Sequence, residues 1–114
     1  MQIPNSDQAI LGEKLERYCL NSKHVQGKHK ALLFQKKLGI TINNKEILEQ
    51  ALFKAIQEND AIIYKQDRYG IHYDVKFLLK TKTGSSLILS SWIIRVHENF
   101  PRLTNAYPIR GDYE

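Results

Sequence analysis

The residues best suited to chemistry lie near the end of the chain, in a stretch that is typical of two adjacent strands. This stretch carries hydroxyl, aromatic and guanidinium side chains among its aliphatic ones. Arg102, Thr104 and Tyr107 occupy alternate or near-alternate positions, which places a cation and hydroxyl groups along one β surface. Groups of this kind bind a phosphate or react at it. A phosphate site on the last strand is therefore the first candidate function.

A second candidate lies in the segment from Asn21 to Lys30, which joins two predicted helices and holds two histidines and three lysines. The backbone N–H groups in the first turn of the following helix are available to an anion. A solvated basic loop, with His24 bonded to the backbone, is the more common structure for such a segment. The loop becomes a site only if it meets other polar groups.

Taken together, five residues supply the groups that metal-independent RNA cleavage needs. The required groups are a base for the 2′-OH, cations for the charge of the phosphorane, and hydroxyl groups that orient a phosphate oxygen. The candidate catalytic residues are His24, Lys30, Arg102, Thr104 and Tyr107. This hypothesis requires His24, Arg102 and Thr104 to line one cleft, and their separation onto opposite faces would exclude it.

Three further residues are candidates for contact with a substrate: Lys28, Tyr73 and Trp92. Aromatic rings at Tyr64, Tyr69 and Tyr73 have the chemistry for stacking on bases, although at least half of such rings are packed in folded proteins. Trp92 alternates with Ile94 on one strand face, so core packing is its default role.

Other classes of function lack their usual residues. His24 and His29 are five residues apart with no carboxylate between them, which is a poor pattern for a metal ion, so neither a metal nor another cofactor is expected. The single cysteine, Cys19, excludes an internal disulfide and suits a reducing compartment. No glycine-rich phosphate loop and no nucleophile-elbow motif is present.

Composition places limits on the partner and the compartment. The chain has 114 residues, a net charge of +5 and a pI near 9.4, which favour an anionic partner or an acidic protein. It lacks an N-terminal signal pattern and a run of about 20 apolar residues, so a cytoplasmic location is expected. We expect a single domain over residues 1–114, with mobile ends at 1–8 and 110–114.

Hydrophobic periodicity predicts three helices followed by a meander of strands, which is an α+β fold. The helices are predicted at Glu13–Leu20, at Lys28–Leu38 with Ala31, Leu32, Phe34 and Leu38 inward, and at Asn44–Glu58 behind an Asn43–Glu46 capping box. The strands are predicted at 71–79, 87–96 and 102–107, with a short edge strand at 62–64. The N-terminal helices are thus expected to pack on a C-terminal antiparallel sheet of three to four strands.

The sequence resembles a bacterial family of unknown function over nearly its whole length. Its members are free-standing proteins of about this length or C-terminal domains of larger toxin-like proteins. The resemblance rests on the run from Leu15 to Leu20, on the stretch from Pro101 to Pro108, and on isolated positions between them. Those positions are Asn21, His24, Gly27, Lys30, Ala31, Phe34, Gly39, Tyr69, Gly70, Tyr73, Gly84 and Trp92. The family often has proline after the loop histidine, where this chain has Val25.

Such domains look like members of the barnase/EndoU/colicin/RelE-like ribonuclease-toxin superfamily. The resemblance implies an active site on the exposed face of the sheet, and a ribonuclease toxin that a small acidic antitoxin or immunity protein neutralises. Two other classes stay open on the sequence alone. One is a non-catalytic basic module that binds a protein or nucleic acid. The other is an immunity-type or scaffold protein whose contact surface is an apolar sheet edge.

Overall fold

A computed structural model describes residues 1–25 and 27–109 of the chain. The predicted C-terminal end at 110–114 lies outside these residues. The helical elements are a 3₁₀ turn at Ser6–Gln8, a π-helical segment at Leu15–Cys19, α1 at Lys28–Leu38, a 3₁₀ turn at Ile42–Asn44 and α2 at Glu46–Glu58. The strands are β1 at Ala61–Asp67, β2 at Gly70–Lys80, β3 at Ser85–Arg95 and β4 at Arg102–Ile109. The four strands form one antiparallel sheet in the order β1-β2-β3-β4. The predicted α+β class and strand number are confirmed.

Helix α1 has the predicted bounds, and it ends at Gly39, which adopts a left-handed φ of 68°. Ala31, Phe34 and Leu38 form its buried side. Leu32, predicted to face inward, is 52% exposed, so that prediction is wrong. Position 32 is rotated away from the side that the other three residues share, because successive helix residues turn by about 100°.

A different residue from the predicted one caps the turn before α2. The hydroxyl oxygen of Thr41 accepts the Asn43 N–H at 3.2 Å, while the side chain of Asn44 accepts the Thr41 N–H at 2.7 Å. These two bonds close a 3₁₀ turn, and α2 begins after it at Glu46. The predicted Asn43–Glu46 box is therefore wrong, since the reciprocal side chains come from Thr41 and Asn44.

The predicted alternation along β2 is confirmed and places the hydrophobic core on one face of the sheet. Tyr73, Val75, Phe77 and Leu79 are buried, while Lys76 on the opposite face is exposed. Trp92 on β3 is fully buried in the same core, and its indole N–H donates to the Ser90 hydroxyl at 3.0 Å.

The burial of Tyr73 and Trp92 corrects their candidate role in substrate contact. Tyr73 is 3% exposed and Trp92 is 0% exposed, and both belong to the cluster that packs against the helices. A substrate would reach neither ring without opening the core. Their sequence signal reflects packing, which is the default role of large aromatic residues on an inward strand face.

Strand β4 is irregular at the position that matters for the site. Its pairing with β3 passes from Asn105 opposite Ser91 to Leu103 opposite Trp92. Thr104 is therefore the extra residue of a β-bulge, which re-aims the side chains around it. At the start of β4 the N-terminal segment adds a short parallel bridge, in which the Leu103 N–H donates to the Ile10 carbonyl at 2.9 Å.

The N-terminal segment contacts the domain at several of its first eight residues, although most of their side chains are exposed. Ile3 is buried in the core, and the Met1 carbonyl accepts the Ala61 N–H at the start of β1. The Asn5 amide donates to the Asn99 carbonyl at 2.6 Å. In residues 1–25 and 27–109, no helix has the length and apolar character that a membrane crossing requires.

Candidate functional site

A cleft of about 460 Å³ lies where the N-terminal segment meets the C-terminal end of β3 and the N-terminal end of β4. Both sides of the cleft contribute polar side chains. Its lining, called the cleft below, consists of Ile10, Leu11, Gly12, Glu13, Lys14, Arg17, Tyr18, His24, Ile93, Arg95, Arg102, Leu103 and Thr104. Four of these side chains are cationic and one is a carboxylate. Two of the cations are paired, Arg17 with Glu13 and Arg102 with Glu98, so the excess positive charge that favours an anionic ligand comes from Lys14 and Arg95.

His24 is held at the cleft by the loop that follows the π-helical segment. The Asn21 side chain accepts the Lys23 N–H at 2.9 Å, and the His24 carbonyl accepts the N–H of Lys28 at 2.9 Å. The Nδ1 atom of His24 accepts the backbone N–H of Gly27 at 3.0 Å. Because Nδ1 acts as the acceptor, the neutral ring carries its proton on Nε2.

Tyr18 lines the cleft, although the sequence analysis did not select it. Its ring packs edge-on against His24, with 5.0 Å between the ring centres. Its position on the apolar side of a short amphipathic helix predicted packing, and no motif in the sequence indicated that its ring would contact the loop histidine. Tyr18 is one of the cleft residues that sequence reasoning missed, together with the cations Lys14, Arg17 and Arg95.

Lys30 and Tyr107 lie behind Tyr18 and are not part of the cleft lining. The ammonium group of Lys30 donates to the Tyr18 hydroxyl at 3.1 Å. The same nitrogen lies 4.6 Å from the centre of the Tyr107 ring, in a cation–π contact. These two candidates therefore reach the cleft through Tyr18 rather than directly.

Arg102 is held in place by a two-pronged ion pair. Its Nε and Nη2 atoms donate to the two carboxylate oxygens of Glu98, each at 2.9 Å. The hydrogen bonds from Arg102 lower the pKa of Glu98 and raise that of Arg102 itself. The guanidinium also lies 5.0 Å from the centre of the Phe100 ring. The pair with Glu98 balances the charge of Arg102 and engages two of its five N–H donors, so a phosphate would have to use the remaining donors or displace Glu98.

The structure thus brings together some of the predicted site residues and separates others. His24, Arg102 and Thr104 line one cleft. Lys30 is one contact removed from it, through Tyr18, and Tyr107 is two contacts removed, through Lys30. Lys28 is exposed at the first position of α1 and is absent from the lining.

Two further observations concern reactive groups. Burial raises the pKa of the Cys19 thiol to about 11, so this thiol stays neutral at physiological pH and is a poor nucleophile. Within the described part of the chain, no three His, Cys, Asp or Glu side chains lie close enough together to hold a metal ion.

Fold and cleft define a small α+β domain with a cationic site at the edge of its sheet. The chain belongs to a family described as a domain of unknown function, DUF6883, whose family model matches residues 2–110. No curated protein matches the sequence.

The fold is similar to that of one chain in a solved contact-dependent growth inhibition toxin and immunity protein complex from Klebsiella pneumoniae 342. The two chains are 17% identical, with a TM-score of 0.67. The likeness covers 88% of this chain and 98% of that chain. At this identity it concerns the fold alone.

Proposed function

We propose that this protein is a ribonuclease toxin that cleaves RNA at the cleft, by attack of a ribose 2′-OH on the adjacent phosphate. One observation carries the proposal. His24, Arg102 and Thr104 come from the two ends of the chain and line the same cleft. They bring an imidazole, a guanidinium and a hydroxyl group to one place, and these are groups that transphosphorylation uses.

In the proposed reaction the 2′-oxygen forms a bond to phosphorus and the bond to the 5′-oxygen breaks, which leaves a 2′,3′-cyclic phosphate. The 2′-OH loses its proton and the leaving 5′-oxygen gains one. Arg102 stabilises the added negative charge on the phosphorane, and the Thr104 hydroxyl donates to a phosphate oxygen. Lys14 and Arg95 add positive charge to the same cleft.

His24 accepts the proton of the 2′-OH in this proposal, and its bond to Gly27 sets a condition on that role. In the described state, Nδ1 is occupied by the Gly27 N–H and the neutral ring has its proton on Nε2. To act as a base, the ring must exchange the bond to Gly27 for one to the substrate. Binding of RNA would thus have to loosen the loop between Asn21 and Gly27.

Lys30 and Tyr107 act indirectly. Lys30 donates a hydrogen bond to the Tyr18 hydroxyl, so its positive charge lies behind the ring that borders the cleft and adds to the electrostatic field at the phosphorane. The Tyr107 ring lies against the Lys30 ammonium group and restricts the conformations of the Lys30 side chain. We therefore assign both to positioning Tyr18 and to the electrostatic field of the site, rather than to contact with the phosphate.

A protein partner follows from the same proposal. The solved structure with a similar fold is a toxin and immunity protein complex. A toxin of this type requires a neutralising protein in the cell that makes it. The net charge of +5 and the cationic cleft favour an acidic partner that covers the cleft.

Expression in a host that lacks the neutralising protein tests the proposal. We expect the wild-type protein to stop growth and to fragment cellular RNA, and His24→Ala to reduce cleavage by at least about 100-fold, the usual contribution of a general base. His29→Ala is the matched control, because His29 is exposed on α1 and outside the cleft lining. Harmless growth and intact RNA with the wild-type protein would refute the ribonuclease function.

The bond from Gly27 to His24 also favours one alternative, a non-catalytic basic module. In that case His24 serves to fix the loop, and the cationic cleft binds nucleic acid or an acidic protein without reaction. RNA would then bind with an affinity that falls steeply with salt concentration, and it would stay intact. A binding titration at two salt concentrations beside a cleavage assay separates the two functions.

A further inference from the structure

A second cavity of about 340 Å³ lies next to the cleft, between the β1–β2 turn and the segment that follows β3. Its lining, called the turn pocket below, consists of Arg68, Tyr69, Arg95, Val96, His97 and Glu98. We propose that the turn pocket binds a nucleotide adjacent to the scissile phosphate, so that the substrate is single-stranded RNA extending from the cleft into this pocket. This inference rests on the proposed function, because it places the scissile phosphate in the cleft.

The two cavities are neighbours that share one lining side chain. Arg95 lines both of them. Glu98 lines the turn pocket, and its carboxylate holds the Arg102 guanidinium of the cleft through two hydrogen bonds of 2.9 Å. A chain of nucleotides with one phosphate at Arg102 would therefore meet Arg95 next. Arg95 is exposed, as a residue that contacts a passing phosphate must be.

The turn pocket has the groups that bind an unstacked base. The Tyr69 ring is 59% exposed, an unusual degree for a ring of its size. The Arg68 guanidinium carbon lies 4.9 Å from the centre of this ring, and its Nη2 atom donates to the Tyr69 hydroxyl at 2.8 Å. Exposed aromatic rings and guanidinium planes are the surfaces on which proteins stack single-stranded bases.

The turn that carries these two residues is held rigidly. One carboxylate oxygen of Asp67 accepts the N–H groups of Tyr69 and Gly70, at 2.9 and 3.2 Å. His72 binds the same carboxylate at 3.1 Å. The Tyr69 carbonyl accepts the N–H of Val96 at 3.1 Å, which ties the turn to the other wall of the pocket. The pocket therefore exists before any ligand arrives, and binding would cost little ordering of the backbone.

Charge selects a nucleotide over a neutral aromatic ligand. Arg68 and Arg95 bring two cations to the turn pocket, while the one carboxylate, Glu98, is engaged by Arg102. A nucleotide whose base stacks on Tyr69 and whose phosphate lies near Arg95 would use both the aromatic ring and the positive charge of the pocket. Duplex RNA keeps its bases stacked on each other, so only an unpaired strand can place one on the ring.

Binding of an eight-nucleotide single-stranded RNA with 2′-O-methyl groups tests the inference without the chemical step, because this RNA has no 2′-OH to attack. We expect Tyr69→Ala to weaken binding about tenfold, as loss of one stacking contact does. Tyr64→Ala is the matched control, since Tyr64 is a similarly exposed tyrosine, 48% accessible, outside both cavities. We expect it to bind as the wild-type protein does.

Cleavage of unmodified RNA, measured on the same variants, separates this inference from the proposed function. If the wild-type protein cleaves RNA and Tyr69→Ala binds and cleaves as well as Tyr64→Ala, the turn pocket is not a subsite and the proposed function stands. If RNA binds through Tyr69 but is never cleaved, the turn pocket binds single-stranded RNA, but the ribonuclease function and the position of the pocket beside a scissile phosphate are both refuted. If the wild-type protein neither binds nor cleaves RNA, both are overturned.

Discussion

Gly27 holds the candidate site together through its lack of a side chain. A β-carbon at this position would collide with the carbonyl oxygen of Tyr18, so only glycine lets the loop lie against the π-helical segment. The same residue donates its N–H to Nδ1 of His24. One backbone position thus fixes the distance between Tyr18 and His24.

We predict that Gly27→Ala lowers the free energy of unfolding by about 1–3 kcal/mol, the usual cost of forcing an added methyl group into a packed place. Urea denaturation measures this change. Ser22→Ala, at an exposed position of the same loop, is the control and should change stability by less than about 0.5 kcal/mol. Equal stability of the two variants would contradict the role given to Gly27.

Residue types alone indicated part of the site. His24, Arg102 and Thr104 have chemistry that stands out in a sequence, and these three meet at the cleft. Tyr18 could not be found in this way, because its importance comes from two contacts that only the folded chain creates. Tyr73 and Trp92 were selected for ring chemistry, whereas strand alternation directs both into the core.

At the scale of elements, hydrophobic periodicity predicts the helices and strands that pack one regular apolar face against the core. Helix α1 and strand β2 are close to their predicted bounds, because each buries a regular apolar face. The features that position the site break this regularity. They are the π-helical segment, the bulge at Thr104 and the parallel bridge at Ile10. Each depends on contacts between distant parts of the chain, which a local pattern does not contain.

Two leucines of α1 allow a matched test of the buried side of this helix. We predict that Leu38→Ala, at a side chain 2% exposed, lowers the free energy of unfolding by about 2–5 kcal/mol, since it leaves a cavity in the core. Leu32→Ala makes the same chemical change at the exposed position and should cost less than about 0.5 kcal/mol. A larger loss of stability at Leu32 would show that Leu32, and not Leu38, lies on the buried side of α1.

At the scale of the whole molecule, part of the response to acid comes from Asp67, the carboxylate that anchors the β1–β2 turn. Partial burial of Asp67 raises its pKa, but hydrogen bonds from the Tyr69 N–H and from His72 outweigh this and hold the pKa at about 2. Because this value lies below the ordinary 3.8, the stabilisation is fully present above about pH 4. It is lost as the pH falls through 2.

We therefore predict that Asp67→Asn is less stable than the wild-type protein at pH 7, and that its stability falls less between pH 4 and pH 2. Thermal unfolding across this range measures both effects. Asn21→Ala also removes a side-chain anchor of a turn, but it removes no charge, so it should lower stability by a similar amount at every pH. If the stability of Asp67→Asn fell between pH 4 and pH 2 as steeply as that of the wild-type protein, the role given to the Asp67 carboxylate would be contradicted.

The two edges of the sheet differ, and the difference decides how another protein can bind. The N-terminal segment bridges to β4 through Ile10 and closes part of that edge beside the cleft. Among the described residues, β1 pairs only with β2 and exposes Ile62 and Ile63 along the opposite edge. A strand added from outside at β1 would lie four strand spacings from β4, about 19 Å, and would leave the cleft open. If the protein is the toxin proposed above, an inhibitor that added a strand at β1 would leave the cleft open, and we expect a neutralising partner to cover the cleft directly.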